Sequence, residues 1–539
     1  MTEGFGIHGV QTVLLGLLVC VAAISGFARR LNISYPIVLI IAGLLASFIP
    51  GLPRIPLPPD VVFLVFLPPL LFASAWNTSW REFKRNIVSI SMLAIGLVGF
   101  TAWAIAETAD RFITDLDWKS GFLLGAVVSP TDAIAATSIA RRLGLPRTVV
   151  DILEGESLVN DATGLLALEF GIEMLVRGQT PTISQGLIRL AWLLGGGVAV
   201  GLIVGVVVAW FEKWVDDGPV EIVLTLIVPY GAYLAGESIK ASGVIAVVAC
   251  GLYLGRQSAR FFSPETRLQA VAVWDALNFL LNGLVFVLIG LQLPYVLAGI
   301  SHYSRPTLIG YGAVFSAILI VVRLIWMYPA SRVAYFINRR VLHRDVERAS
   351  KKSIFVVGWT GMRGVVALAA AGSLPYTLEN GQPFGQRNLI IFLTFCVILV
   401  TLVLQGLTLP PLIRALGLAG SAGPECEEGD ARRIMLTAAI AHLEEGRVDD
   451  GEAFEHAYED LLHQYQHRLD EVNDCGDSSS SLEDPRHHLR HILRGTVQVE
   501  REELIRLRDE GRISDDVLRT LERELDLSES KLGMRPNSG

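Results

Sequence analysis

Three short stretches of this 539-residue chain carry the polar residues that could do chemistry. They are Ser129-Pro130-Thr131-Asp132, Glu156-Ser157-Leu158-Val159-Asn160-Asp161 and Gly361-Met362-Arg363-Gly364. Each lies inside a long apolar run. A charge at mid-bilayer costs at least about 2.5–3.5 kcal/mol on insertion scales, so such residues are functional candidates by default. Ser157 and Asp161 are four residues apart and share a helix face, with Glu156 and Asn160 on the adjacent strip. The first face offers a hydroxyl and a carboxylate, hard oxygen ligands suited to sodium or to a proton. The second offers a carboxylate suited to neutralising Arg363. Plainer readings stay open: Pro130 as a simple kink, Glu156 with Arg363 as a purely structural pair, Asp132 as the cap of a half-helix. Asp161 has no obvious fixed partner and is hardest to explain by structure alone. Arg323 reads as a snorkelling or helix-packing residue, and Gly197, Gly201 and Gly205 as a ladder for close helix packing.

The elements that hold these residues are membrane helices. The chain is 52% hydrophobic and 18% charged, against about 25% charge for soluble proteins. Thirteen spans are predicted, near 10–27, 35–50, 58–75, 87–107, 118–140, 148–176, 186–210, 220–238, 242–255, 270–293, 307–330, 353–374 and 388–413. Their apolar runs are continuous, as helices require and barrel strands do not. Asp132 lies 14 residues beyond Trp118 and Asp161 lies 14 beyond Arg147, about 21 Å of helix in each case. Arg363 is ten residues past Ser353, about 15 Å. All three reach the middle of a core about 30 Å thick.

Two of these spans are interrupted. Pro130 removes a backbone donor, and Gly358, Gly361 and Gly364 weaken the twelfth span. Unwound backbone at this depth is tolerated where it lines a cavity, and its carbonyls and half-helix ends can hold cations. Spans five and twelve run in opposite directions, the pattern of inverted repeats.

Lys and Arg sort into alternate loops. One side holds Arg29, Arg30, Arg81, Lys84, Arg85, Arg141, Arg142, Arg147, Arg256, Arg260, Arg267 and the run Arg332–Lys352. That side is cytoplasmic by the positive-inside rule. The N-terminus is then outside, the C-terminal tail inside, and the protein multi-pass in the cell membrane. The first apolar run, followed by Arg29-Arg30, reads as a first spanning helix and not as a signal peptide.

Beyond about residue 420 the apolar runs stop. Residues 421–539 hold 29 Asp and Glu against 15 Lys and Arg, while the whole chain is only −8. The division expected is a transmembrane domain over 1–415 and a cytoplasmic, mostly helical regulatory tail over 416–539. Helical spacing runs over 431–473, a linker spans Cys475–Pro485, and a further charged helical segment covers 499–527. The tail histidines His442, His456, His463, His467, His487, His488 and His491 read as solvated groups, with a pH sensor as the alternative. The five cysteines make no disulfide framework or metal spacing. No nucleic-acid footprint is present.

At these residues the sequence resembles bacterial sodium/proton antiporters of the NhaP/NHE type, in the cation:proton antiporter superfamily. The likeness covers roughly 10–415. It rests on Phe66-Leu67-Pro68-Pro69-Leu70-Leu71-Phe72, Ser129–Asp132, Gly155–Asp161, Gly358–Gly364 and the stretch Trp274–Leu293. The resemblance implies an inverted-repeat fold, a dimerisation domain beside a six-helix core, and a homodimer. It implies that Asp161 is the carboxylate shared by sodium and protons. Ser157, the side chain of Asp132 and the backbone of Thr131 would be ion ligands, and Glu156 would pair with Arg363. An Asn-Asp pair, here Asn160-Asp161, resembles the electroneutral branch. One position departs from the pattern: Ala73 stands where many relatives have an acidic residue.

The function expected is secondary active exchange of Na+, or of Li+ or K+, for H+. Cation and proton compete for Asp161 under alternating access, with no cofactor and no enzymatic step. A K+/H+ or unselective cation/proton antiporter is the close alternative. A passive cation channel and a membrane receptor are the remoter ones.

Overall fold

The computed structural model describes residues 7–30, 34–49, 58–112, 116–176, 182–215, 217–300, 303–344, 348–378, 382–419, 424–450 and 455–474, with scattered positions between 496 and 525. Among these the chain is all-helical apart from one antiparallel bridge between Thr377 and Pro383. It divides into two compact units, Met1–Gly423 and Pro424–Gly539.

In the first unit the helices are, in order, α1 (Ile7–Arg30), α2 (Tyr35–Ala46), α3 (Pro59–Asn77), α4 (Trp80–Phe112), α5 (Trp118–Val128), α6 (Ala133–Arg142), α7 (Arg147–Val176) and α8 (Ile183–Glu212). They continue with α9 (Gly218–Ser238), α10 (Gly243–Phe261), α11 (Pro264–Ala298), α12 (Arg305–Val341), α13 (Lys351–Trp359), α14 (Val365–Gly372) and α15 (Arg387–Ala415). Eight helical stretches among the described residues are long and apolar enough to cross a membrane. The predicted short spans at 35–50 and 242–255 correspond to α2 and α10. The span predicted at 307–330 is far longer, 37 residues.

Local sequence explains where these helices begin. Ser79, Asp117, Thr182, Asp217, Ser242, Ser263, Ser304 and Ser350 each take a backbone N–H of the first turn, as N-caps do. Pro264 and Pro306 then stand in first turns, where no N–H is needed.

The apolar side chains point both ways. α8 turns Trp192, Leu202, Ile203, Val207 and Trp210 outward, the distribution expected where the surroundings are lipid and not water. Inward, its glycine ladder is used up within the chain. A Cβ at Gly201 would lie 2.2 Å from Ala246 O and one at Gly197 2.8 Å from Ser242 O, so backbone contact joins α8 to α10. The first unit is that of a multi-pass membrane protein.

In the second unit, the helical spacing over 431–473 falls on two helices, α16 (Pro424–Asp450) and α17 (Glu455–Asp474). Arg447 pairs with Glu455 at 2.7 Å and Glu459 at 3.4 Å. The predicted linker at Cys475–Pro485, His487, His488 and His491 lie outside the described residues, as does much of 499–527.

Candidate functional site

α5 stops at Val128 and α6 starts at Ala133, with Asp132 extended between them. α13 stops at Trp359 and α14 starts at Val365, with Gly364 extended before it. Both predicted interruptions are therefore present. They meet: the Asp132 N–H donates to Met362 O at 2.9 Å. Two glycines permit the approach. A Cβ at Gly364 would lie 2.3 Å from Asp132 Oδ2, and one at Gly164 on α7 would lie 2.2 Å from the Pro130 ring.

Arg363 serves the breaks. Its Nε donates to Val128 O at 2.5 Å and its NH1 to Gly361 O at 2.5 Å. These are carbonyls beside the C-terminal ends of α5 and α13, which lack intrahelical partners and attract cations. The Arg363 N–H donates to Thr401 Oγ1 on α15 at 3.2 Å.

The expected salt bridge is corrected here. The partner of Glu156 is Arg323, which grips it with both fork nitrogens, NH1 to Oε1 at 2.5 Å and NH2 to Oε2 at 2.8 Å. Arg323 and Glu156 are each about 1% exposed. Arg323 is no snorkelling residue, because α12 overruns the bilayer thickness and places it 18 residues from either end. Its second bond, NH2 to Val357 O at 3.1 Å, ties it to α13. Gly361 clears the path, since a Cβ there would lie 2.4 Å from Arg323 Cδ. The length of its helix was the available signal for this residue.

A polar relay links the pair to the first break. Thr131 Oγ1 donates to Glu156 Oε1 at 3.0 Å, and Asn160 Nδ2 donates to Thr131 Oγ1 at 2.7 Å. The Thr131 carbonyl lies 3.5 Å from Asn160 Nδ2. Within this relay and its ion pair, Asn160 Oδ1 and Arg323 Nε are the buried atoms left without a partner among the described residues. Thr163, one turn beyond Asn160, bonds to Ala94 O and so holds α7 against α4.

On the neighbouring face Ser157 Oγ accepts from Ala133 N at 3.3 Å, and Asp132 Oδ1 accepts from Ile134 N at 2.8 Å. Asp132 does cap α6, through one oxygen only. Asp161 is 6% exposed and among the described residues nothing donates a hydrogen bond to it. It lines a cavity of about 110 Å³ with Pro130, Thr131, Asp132, Ser157 and Gly364. The structure thus brings together Pro130, Thr131, Asp132, Ser157 and Asp161, with Glu156 and Asn160 behind them. Ala73 is buried outside the lining of this cavity, while its neighbour Ser74 faces it.

A small cavity with Asp132, Ser157 and Asp161 in its wall, beside two helix breaks that touch, is the layout of a broken-helix membrane protein. Residues 16–415 match the family described as "Sodium/hydrogen exchanger, transmembrane", and the chain belongs to it. It is a secondary active sodium/proton antiporter in class, a transporter and not an enzyme. Similar chains include an uncharacterised Na+/H+ exchanger of Mycobacterium tuberculosis, 32% identical over 97% of each chain. The Na+/H+ antiporter ApNhaP of Aphanothece halophytica is 32% identical, over 80% of this chain and 79% of its own. A sodium, potassium, lithium and rubidium/H+ antiporter of Bacillus pumilus is 32% identical, over 85% of this chain and 69% of its own. Among solved structures, the sodium proton antiporter MjNhaP1 of Methanocaldococcus jannaschii shares the fold. The TM-score is 0.57 at 23% identity, over 75% of this chain and 98% of that one.

Proposed function

We propose that this chain exchanges one monovalent cation, sodium first, for one proton at Asp161. The observation that carries the reading is a buried carboxylate with no fixed donor, facing a small cavity beside Ser157 and Asp132. A bare charge there is costly, so the group holds either a proton or a cation. Competition for one carboxylate couples the two flows without further machinery. Asp132 Oδ2, Ser157 Oγ and the Thr131 carbonyl are the further oxygen ligands. Glu156 is neutralised by Arg323 and Asn160 carries no charge, so the cycle moves no net charge.

Thirteen crossings in two inverted repeats, an outside N-terminus, an inside tail and a homodimer complete the reading. It is supported by the two oppositely placed helix breaks and by the sorting of Lys and Arg. Alternating access follows from rocking of the half bearing the breaks. The tail, 416–539, is read as regulatory. A broader cation range, as in the name of the Bacillus pumilus relative, is the second reading, and Ala73, standing where many relatives have an acidic residue, favours it. The test is proton release from reconstituted vesicles on adding sodium, potassium or lithium separately. Sodium-driven release supports the reading; equal responses to sodium and potassium support the second. Cation flux without proton movement would make the protein a channel.

A further inference from the structure

A second cavity, of about 620 Å³, lies between α4, the start of α7, α12 and α13. It is separate from the exchange site. Arg85 and Arg348 line it, and no acidic side chain does among the described residues. The positive charge has further sources. α7 and α13 both begin at this cavity, which Thr148 and Ser353 of their first turns line. Helix N-termini present N–H groups and the positive end of the dipole, and so favour anions. Arg348 is set over the Tyr335 ring at 4.9 Å, and Arg344 NH1 bonds the carbonyls of Lys84 and Arg85 at 3.1 and 3.3 Å. Arg344 is thereby tied to α4 and Arg348 to α12.

Two buried side chains in the wall are left unsatisfied. Asn86 is 9% exposed and its Nδ2 has no acceptor; Asn338 is 4% exposed and its Oδ1 has no donor. An unmade hydrogen bond on a buried group is costly and calls for a ligand that completes it. An anionic oxygen suits Asn86 Nδ2 and the arginine forks; a hydroxyl suits Asn338 Oδ1. Met92, Leu93, Met327, Ile354 and Val357 make the rest of the wall apolar, which suits an amphiphile.

We infer that this cavity is a binding site for a phosphate-bearing anion, supplied either by the hydroxyl-bearing headgroup of an anionic phospholipid or by free phosphate. A basic pocket between membrane helices at the arginine-rich end of a bundle is where such headgroups are held.

The test uses the purified full-length protein in detergent. The thermal unfolding midpoint is followed against added phosphatidylglycerol, phosphatidylcholine or inorganic phosphate. Phosphatidylglycerol raises the midpoint and phosphatidylcholine does not. Arg85→Gln with Arg348→Gln weakens the response by about tenfold for each arginine lost. Ser331→Asp, which sets a carboxylate in the wall, abolishes it. The charge-matched control Arg256→Gln with Arg414→Gln keeps it. A rise with inorganic phosphate alone, lost in the same variants, supports the site and assigns it free phosphate. An equal rise with phosphatidylcholine, or an undiminished response in Arg85→Gln/Arg348→Gln, overturns the inference.

Discussion

Asp161 and Glu156 are carboxylates on one helix, five residues apart, with opposite roles set by their neighbours. Glu156 receives three hydrogen bonds, two from Arg323 and one from Thr131. Asp161 receives none among the described residues. The first is held in place by its donors, and the second is the proposed exchange carboxylate. Asp161→Asn is therefore expected to abolish cation-driven proton flux while expression and thermal stability stay near those of the wild type. Removing one member of the Glu156–Arg323 pair leaves an unpaired buried charge, a loss of about 3–5 kcal/mol. Arg323→Met alone should lower the unfolding midpoint sharply, and Arg323→Met with Glu156→Leu should recover part of it. The double-mutant cycle should show stronger coupling of Glu156 to Arg323 than to Arg363. The reverse order would restore Arg363 as the compensating partner.

The elements that place these residues are two half-helix pairs whose breaks contact each other, and the contact depends on missing side chains. Gly364→Ala would drive a methyl group into Asp132 Oδ2, 2.3 Å from the ideal Cβ. The variant is expected to insert normally yet lose most of its exchange, since the collision falls on a proposed ion ligand and not on the outer packing. Gly201→Ala makes a contrast. Its Cβ would meet the Ala246 carbonyl at 2.2 Å, so it should cost stability through α8–α10 packing while leaving the cation dependence of surviving protein unchanged. If the two variants behaved alike, the separation of site from scaffold would be wrong. Both breaks were legible in the sequence because proline, glycine and charge inside an apolar run are local signals. The partner of Glu156 was not, because Arg323 is 167 residues away. Its depth also depends on the full length of α12, which continues past its most apolar stretch. Depth pointed to Arg363; the structure uses that side chain on half-helix carbonyls instead.

For the whole molecule, the sequence reading places the change from apolar to polar helical chain at 415–416, and the structure divides into compact units at Gly423 and Pro424. Composition shifts of this size are visible without coordinates. The charge inventory of the first unit sets its energetics. With Glu156 matched by Arg323 and Asn160 neutral, the proposed cycle exchanges one proton of Asp161 for each cation. A membrane potential imposed on vesicles at a fixed pH gradient is therefore expected to leave the exchange rate unchanged. A rate that follows the potential would mean net charge movement and would point to Asp132 as a second proton carrier. The central claim is that cation and proton share one carboxylate. Its most direct test is the sodium concentration for half-maximal exchange, measured in vesicles across a range of pH. Below the protonation point of the site, that concentration should rise about tenfold for each unit fall in pH, with the maximal rate unchanged, as mass action requires of competitors. A half-saturating concentration that ignores pH while the maximal rate falls would show that the two ions bind at different places.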